Sequence, residues 1–336
     1  MRLAGLLALG LLLLGSAGWG VLALWYFDHK PFAVRAALAA GFALVSLAAL
    51  ASLALPDWRW RALAAYAAVF ALLVWRWFAI EPSNDRDWKP ETARLAHATI
   101  AGDQVTLHNI RNFDYRSAAD FTPAYYDGTF DLRELDSVDL VASYWMGPAI
   151  AHVFLSFGFA GRHVAISIEA RSERGEGYSS IKGFFRQYGL FYVVADERDV
   201  IRLRTNYRRD PPEDVYLYRL RGSRDDARRL FLEFLAEINR LRERPEFYNS
   251  LVTNCTSNIW LHSRVVPGPL PYSWKILVSG YTPEFLYKEE RLDTRLPFAE
   301  LKRRSRINDP AKTADKAEDF SRRIRAHLPG LTPRPF

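Results

Sequence analysis

Residues 151–171 read AHVFLSFGFAGRHVAISIEAR, two apolar runs separated by a short step that contains glycine. Residues 162–171 alternate apolar and polar side chains, which is typical of a half-buried β-strand, and residues 151–159 form a second strand-like run. Gly158 and Gly161 favour a tight turn between the two runs. The segment therefore predicts a β-hairpin.

The flanking sequence first continues this pattern and then changes it. Further strands are predicted at residues 104–108, 190–194, 200–204 and 214–218. Apolar residues then recur at helical spacing over residues 225–244, and Pro245 follows. A run of antiparallel strands followed by helices indicates an α+β fold.

Three long apolar segments precede this soluble part. Residues 3–27 and 36–56 contain no charged residue, and residues 62–80 contain only Arg76. A membrane-spanning helix needs roughly 20 apolar residues, and the third segment reaches that length if Arg76 extends to the membrane surface. The first segment is long for a signal peptide and further spans follow it closely, so we expect an uncleaved anchor.

The positive charges between these segments predict an orientation. Arg2 and the N-terminal amine lie on one side, and Arg59 and Arg61 return to that side after two crossings. Positive charges favour the cytoplasmic side, so the N-terminus is predicted inside and everything after Glu81 outside the cytoplasm.

The chain is accordingly divided into four regions. These are a membrane anchor (1–81), a polar linker (82–95), a catalytic domain (96–300) and a basic tail (301–336) that is predicted to be loosely ordered. The formal net charge is +7, with basic runs at residues 302–306 and 322–325. Such runs either attract anionic lipid headgroups or form a solvated helix face, and no nucleic-acid-binding motif accompanies them.

The chain contains one cysteine, Cys255, within YNSLVTNCTSNIW (residues 248–260). A single cysteine forms neither an internal disulfide nor a Cys-x-x-Cys site, and no other metal-ligand spacing is present, so no metal or cofactor is predicted. Polar residues surround Cys255 where a short helix could begin, and a helix N-terminus lowers the pKa of a thiol. These features favour a nucleophile, and a buried structural thiol is the alternative.

A catalytic thiol needs a base, and two of the seven histidines lie on predicted strands near the hairpin. His152 and His163 are these candidates, and Glu169 would lie on the strand beside His152 as an orienting carboxylate. A structural histidine and a surface salt bridge are the respective alternatives. The other histidines are set aside because of their positions. His29 lies in a membrane loop and His327 in the tail. His97 and His108 precede the core, and His262 is too far along the cysteine helix.

Several stretches of the soluble part resemble the Lnb N-terminal periplasmic domain family of bacteria. The resemblance covers most of residues 105–265 and rests on residues 112–116, 151–157, 167–171, 192–199 and 247–256. The order of histidine and cysteine is also similar to that of circularly permuted, papain-like NlpC/P60-type proteins. The resemblance implies a papain-like domain with a central antiparallel sheet and flanking helices, in the periplasm and anchored to the bacterial inner membrane.

The resemblance also implies roles for individual residues. Cys255 corresponds to the nucleophile, His152 to the base and Glu169 to a third member that is Asn in many relatives, and His163 is a reserve base. Asn254 and the Cys255 backbone N–H would hold the oxyanion. Ala151 stands where relatives often have Gly.

The implied activity is a cysteine-dependent acyl transfer through a thioester, with membrane lipids or lipoproteins as partners. Two alternatives stay open. One is a cysteine amidase or peptidase that acts on cell-wall peptides, and the other is a membrane-anchored envelope module without enzymatic activity, in which Cys255 is structural.

Overall fold

A computed structural model describes residues 3–26 and 31–329 of the chain. His29 and the last seven residues of the predicted basic tail lie outside the described residues. The chain divides into two compact units. The first comprises the residues up to Ser83 together with Ser179–Gln187, and the second comprises Asn84–Tyr178 and the residues from Tyr188 onward.

The first unit contains three helices that are long and apolar enough to cross a membrane, as predicted. They are α1 (Leu3–Trp25), α2 (Phe32–Ser52) and α3 (Pro56–Phe78). Phe42, Tyr66 and Leu73 form part of their buried core, whereas most leucines on their outer faces are exposed. Arg59 and Arg61, which were assigned to a connection, lie in the first turns of α3.

A short segment from later in the chain belongs to the same unit. Ser179–Gln187 contains α4 (Ser180–Gly183), and Phe185 of this segment packs against Trp77 and Tyr26. The Arg186 guanidinium donates a hydrogen bond to the Trp77 carbonyl at 2.9 Å. Nothing in the sequence pattern predicted that these residues belong to the first unit.

The second unit is built on an eight-stranded sheet in the order β1-β2-β9-β8-β7-β6-β10, with β5 also paired to β2. The pairs are antiparallel except β2 with β9, so the sheet is mixed rather than purely antiparallel. Its strands are β1 (His97–Ala101), β2 (Gln104–Arg111), β5 (Tyr125–Asp131), β6 (Leu135–Tyr144), β7 (Ala151–Phe159), β8 (Arg162–Arg171), β9 (Gly189–Asp196) and β10 (Asp214–Arg219), and a separate small pair is formed by β3 (Asp114–Tyr115) and β4 (Phe121–Thr122).

Helices cover both faces of this sheet. One apolar cluster joins the sheet to α6, and another joins it to α5 and the C-terminal helices. The helices are α5 (Glu197–Arg202), α6 (Arg224–Glu243), α7 (Cys255–His262), α8 (Thr282–Lys288), α9 (Phe298–Arg304), α10 (Asn308–Thr313) and α11 (Phe320–Arg323). The α+β prediction is confirmed.

The predicted hairpin is confirmed, with strands at the expected residues. Phe159 pairs with Arg162, and Ala160 and Gly161 form the turn with positive φ angles of 48° and 91°. Glycine adopts such angles at little steric cost, which explains the signal from Gly161. Gly158, which was also assigned to the turn, lies within β7 and pairs with His163. The long helix is confirmed as α6, and its capping box of Ser223 and Asp226 fixes where it begins.

The strand predicted at residues 200–204 is wrong. The Asp196 side chain accepts a hydrogen bond from the Arg198 backbone N–H and starts α5, which continues into a π-helical turn, Leu203–Tyr207. Val200 and Ile201 are buried on this helix. Residues 200–204 read VIRLR, a run whose apolar and basic residues resemble a half-buried strand, but the N-cap selects the helix.

The predicted linker and tail also differ from the structure. Trp88 is buried, and its ring lies 4.3 Å from the Arg171 guanidinium, so the chain packs on the second unit from Asn84 onward. The C-terminal segment is not loosely ordered over its described residues, because Phe320 and Ile324 are fully buried in the second apolar cluster. Spaced apolar residues among many charges concealed this helical layer in the sequence.

Arg325 is the buried cation of this C-terminal layer. Its guanidinium donates hydrogen bonds to Glu197 at 2.6 and 2.7 Å and to Asp139 at 2.9 Å. Burial opposes ionisation of Glu197, but Arg325 outweighs it and lowers the pKa of Glu197 to about 2. Glu197 is therefore ionised, and buried Asp139 pairs with both Arg325 and Arg219.

We expect Arg325→Met to destabilise the protein by about 3–5 kcal/mol, because it removes the arginine partner of buried Glu197 and one of two arginines that pair with Asp139. Thermal unfolding of the detergent-solubilised protein measures the change. Arg323→Met is the matched control, since the Arg323–Asp319 pair is exposed. Equal stability of the two variants would contradict a structural role for the C-terminal layer.

Candidate active site

Cys255 is the first residue of α7, as the sequence predicted. Asn254 caps the helix: its side chain accepts a hydrogen bond from the Ser257 N–H at 2.9 Å, and the Ser257 hydroxyl accepts one from the Asn254 N–H at 2.9 Å. The Thr256 hydroxyl donates to the Ile276 carbonyl at 2.5 Å, which fixes this turn to the following loop. The thiol is buried at the N-terminal end of α7.

The Cys255 sulfur lies against the start of β7. The backbone N–H groups of Val153, Thr256 and Cys255 itself lie near enough to the sulfur to favour its thiolate form. β7 pairs with β8 over Leu155–Phe159, and the first four residues of β7 lie beyond that pairing. α7 packs against both strands, and the Cys255 sulfur lies near Val153, the residue directly after His152.

The His152 ring is held by a relay that ends at Glu169. His152 Nε2 lies 2.7 Å from the Ser167 hydroxyl, which itself donates to Glu169 Oε1 at 2.9 Å. Because the Ser167 proton is directed at the carboxylate, the hydroxyl oxygen accepts from His152 Nε2–H. This fixes the tautomer and leaves the lone pair on Nδ1.

The sequence brought Glu169 to the correct strand but did not foresee Ser167. Glu169 Oε1 is 3.7 Å from His152 Nε2, beyond hydrogen-bonding distance. Ser167, two residues earlier on the same face of β8, fills that gap. A serine two residues before the carboxylate is the sequence signal that could have revealed the relay.

Arg204 is the second residue that the sequence did not single out. Its guanidinium lies 3.4 Å from Glu169 and 3.2 Å from Glu213, and it is almost fully buried. Glu213 also accepts hydrogen bonds from Arg208, at 2.7 Å, and from the Ser143 hydroxyl. Arg204 was missed because residues 200–204 were predicted to form a strand.

These neighbours determine the protonation states. Burial lowers the pKa of His152 to about 3, and Arg204 adds to the effect, while Glu169 and Glu213 partly oppose it. Burial disfavours the Glu169 carboxylate, but His152 and Arg204 outweigh it and lower its pKa to about 2. At neutral pH the imidazole is therefore neutral and the carboxylate is ionised.

The thiol is also neutral in the resting site. Burial raises the pKa of Cys255, and the three backbone N–H groups and Arg204 offset only part of the shift. The helix N-terminus was expected to lower this pKa, but the desolvation of the sulfur is the larger effect. The resting pair is therefore a thiol and a neutral imidazole rather than an ion pair.

Asn254 and His163 do not take the positions expected for an oxyanion donor and a reserve base. The Asn254 amide donates to the Ser250 and Leu251 carbonyls at 3.0 and 3.4 Å, so it holds the loop before the cysteine. His163 pairs with Gly158, six residues along β7 from His152, which corresponds to roughly 20 Å. The structure does not bring His163 to the thiol.

No metal-binding arrangement accompanies the site in the part of the chain that the structure describes. Among residues 3–26 and 31–329, no group of three or more His, Cys, Asp or Glu side chains is placed to hold a metal ion. His262 is buried instead against the Tyr192 hydroxyl, at 2.7 Å, and the Phe234 ring.

Alkylation of Cys255 by iodoacetamide is expected to be slow at pH 5–8 and to rise only above the pH at which an ordinary thiol ionises, because burial raises the pKa of this thiol. No step is expected near pH 6.5, because His152 is already neutral there. Mass spectrometry reports this site alone, since the chain has one cysteine. The urea-unfolded protein is the control and should titrate at the ordinary thiol pKa. A plateau of reaction across pH 5–8 would instead reveal a resting ion pair.

Comparison with known families agrees with the sequence analysis. Searches of the curated proteins and of the solved structures gave no match. Residues 121–280, which include β7, β8 and the start of α7, match the family model described as the Lnb N-terminal periplasmic domain. This match confirms the resemblance that the sequence predicted over that part of the chain.

Proposed function

We propose that this protein is a membrane-anchored, cysteine-dependent acyltransferase that acts on bacterial lipoproteins or membrane lipid esters. The observation that carries the proposal is the position of the Cys255 sulfur near the backbone N–H of Val153, the residue that follows a histidine whose tautomer is fixed. A structural thiol needs no such histidine. The family match adds support, because the resemblance implies acyl transfer.

The first half of the proposed reaction forms a thioester. Cys255 Sγ attacks an ester carbonyl while His152 Nδ1 accepts the thiol proton, so a neutral histidine serves as the base. Backbone N–H groups around the sulfur, at the N-terminus of α7, are the donors available to the developing oxyanion. The tetrahedral intermediate then collapses, and His152 returns the proton to the departing alcohol.

The second half transfers the acyl group. An amine attacks the thioester, His152 accepts its proton, and Cys255 leaves as a thiolate that regains the proton. The products are an amide and the free thiol, so the enzyme returns to its resting state. Attack by water instead of the amine would hydrolyse the thioester. A cell-wall amidase or peptidase would use this hydrolysis as its second step.

The proposal includes a papain-like fold and a periplasmic location for the second unit. A cysteine that opens a helix packed against a histidine-bearing strand agrees with a permuted, papain-like NlpC/P60-type domain. The matched family is described as periplasmic, and three spans with the N-terminus inside would place the domain on that side of the inner membrane.

Cys255→Ser and His152→Ala are each expected to abolish the acylation of lipoprotein N-termini that depends on this protein, because they remove the nucleophile and the base. Mass spectrometry of these N-termini from cells with equal protein levels provides the measurement. His163→Gln is the control and should retain activity, since His163 is far from the thiol. Unchanged acylation with Cys255→Ser would refute the lipoprotein proposal and leave hydrolysis to be tested.

Arg204→Met is expected to move the acid limb of the activity profile upward by roughly 1 pH unit or more, because removing a nearby cation makes protonation of His152 easier. The base must be neutral, so activity is then lost at a higher pH. The rate of Cys255 acylation by a p-nitrophenyl ester gives the profile. Arg204→Lys keeps the cation and should retain a low acid limb. Identical pH profiles for Arg204→Met and wild type would show that Arg204 does not affect the protonation of His152.

A further inference from the structure

Large exposed apolar side chains of the second unit are concentrated around the candidate site. Most of them lie in residues 145–150 and 247–278, on either side of Cys255 and just before His152. Single exposed apolar residues are ordinary, but a contiguous group marks an interaction surface. We call this group the apolar rim, and we define it by six residues that are 38% to 64% exposed: Met146, Leu251, Val252, Tyr272, Trp274 and Leu277.

Hydrogen bonds join the segments of the apolar rim to one another. The Gly280 N–H donates to the Ala149 carbonyl at 3.0 Å, and the Ala151 N–H donates to the Ser279 hydroxyl at 3.1 Å. A Cβ atom at Gly280 would lie 2.2 Å from the Pro148 carbonyl oxygen, so these two loops approach as closely as glycine permits. These contacts hold the two loops together at the start of β7.

The start of α7 is joined to the same surface. Thr256, next to the nucleophile, donates to the Ile276 carbonyl between Trp274 and Leu277. Leu251 and Val252 lie directly before the Asn254 cap, and the Leu251 carbonyl accepts a hydrogen bond from the Asn254 amide. The apolar rim thus borders Cys255 on both sides in the sequence.

The charge of this region is as distinctive as its apolar character. Residues 247–283 contain no Asp or Glu and only two basic residues, Arg264 and Lys275. Arg264 lies over the Trp260 ring at 5.7 Å, and Lys275 pairs with Glu284 at 3.3 Å. Without acidic residues, the surface does not repel the anionic headgroups of a bacterial membrane.

We infer that the apolar rim enters the headgroup–hydrocarbon boundary of a lipid bilayer. Tryptophan and tyrosine favour that boundary, and leucine and valine favour the hydrocarbon beneath it. The chain carries three helices that can span a membrane, so a bilayer is available to cover the apolar rim. The inference goes beyond the proposed function, because this contact would exist even if Cys255 had no catalytic role.

The rim also narrows the substrate class of the proposed reaction. An acyl donor that remains in the bilayer would present its ester at headgroup depth, beside Cys255. A cell-wall peptide has no apolar chain to occupy such a surface. For the transferase, the rim therefore favours a membrane-embedded lipid ester as the donor.

The test uses the full-length protein with Cys255→Ala in nanodiscs of phosphatidylethanolamine and phosphatidylglycerol, so that it does not depend on catalysis. Single cysteines replace Val252 or Trp274 and carry an NBD fluorophore. Ile100→Cys is the matched control, because Ile100 is also exposed but lies on β1, four strands from β7 and roughly 19 Å away.

We expect blue-shifted NBD emission at positions 252 and 274 that doxyl-labelled lipids quench, and no quenching at position 100. Quenching of all three probes by aqueous iodide alone would overturn the inference. A blue shift that needs added envelope protein instead of lipid would also overturn it, and would identify a protein partner. The alkylation and acylation measurements on wild-type Cys255 are independent of each of these outcomes.

A second readout separates membrane contact from chemistry in the active protein. Val252→Ser combined with Trp274→Ser should reduce the rate with a lipid ester in vesicles while the rate with a soluble p-nitrophenyl ester stays the same. Equal losses with both substrates would show that the rim supports the fold rather than the membrane contact.

Discussion

Buried carboxylates on one side of the sheet have to be neutralised before helices can cover it. Asp139, Glu197 and Glu213 are each at most 6% exposed, and an unpaired buried charge costs several kcal/mol. Two arginines meet most of this requirement. Arg325 pairs with Asp139 and Glu197, and Arg204 pairs with Glu213 and with the half-buried Glu169. These two arginines therefore stabilise the packing of α5 and the C-terminal helices, and Arg219 and Arg208 add further pairs to Asp139 and Glu213.

The same charge compensation reaches the candidate site. Arg204 satisfies a structural carboxylate, Glu213, and at the same time disfavours a proton on His152. Glu169 is left ionised and directs the Ser167 hydroxyl, which in turn orients the imidazole. A residue that stabilises the fold thus also sets the protonation state on which the proposed base depends, so its removal should change both stability and pH dependence.

The outcome for individual elements shows what local sequence can predict. The β7–β8 hairpin, α6 and the start of α7 depend on short-range signals, namely a glycine turn, a helical period and an N-cap, and all three were predictable. Residues 200–204 were predicted incorrectly because the Asp196 cap competes with a strand-like pattern. Arg325 could not be assigned, since its partners are 128 and 186 positions away in the chain.

The candidate site divides in the same way. His152 and Glu169 were found because a hairpin places neighbouring strands side by side, which is a local rule. The Ser-x-Glu spacing places Ser167 on the same face as Glu169, but it does not show that the serine rather than the glutamate contacts His152. That choice depends on distances of 2.7 Å from His152 Nε2 to the Ser167 hydroxyl and 3.7 Å to Glu169. Arg204 reaches Glu169 only because a helix replaces the predicted strand.

The apolar rim and the resting protonation state support each other in the proposed reaction. A thioester is open to attack by water, and the exclusion of water from a site favours transfer to an amine over hydrolysis. The Cys255 thiol is buried and, like the His152 imidazole, uncharged in the resting state, so neither group holds water as an ion would. If the rim lies at the lipid boundary, the acyl chain of the substrate covers the apolar surface when the substrate binds. The substrate thereby displaces water from the site before the thioester forms. Transfer is therefore the outcome that this combination of burial, neutrality and apolar surface favours.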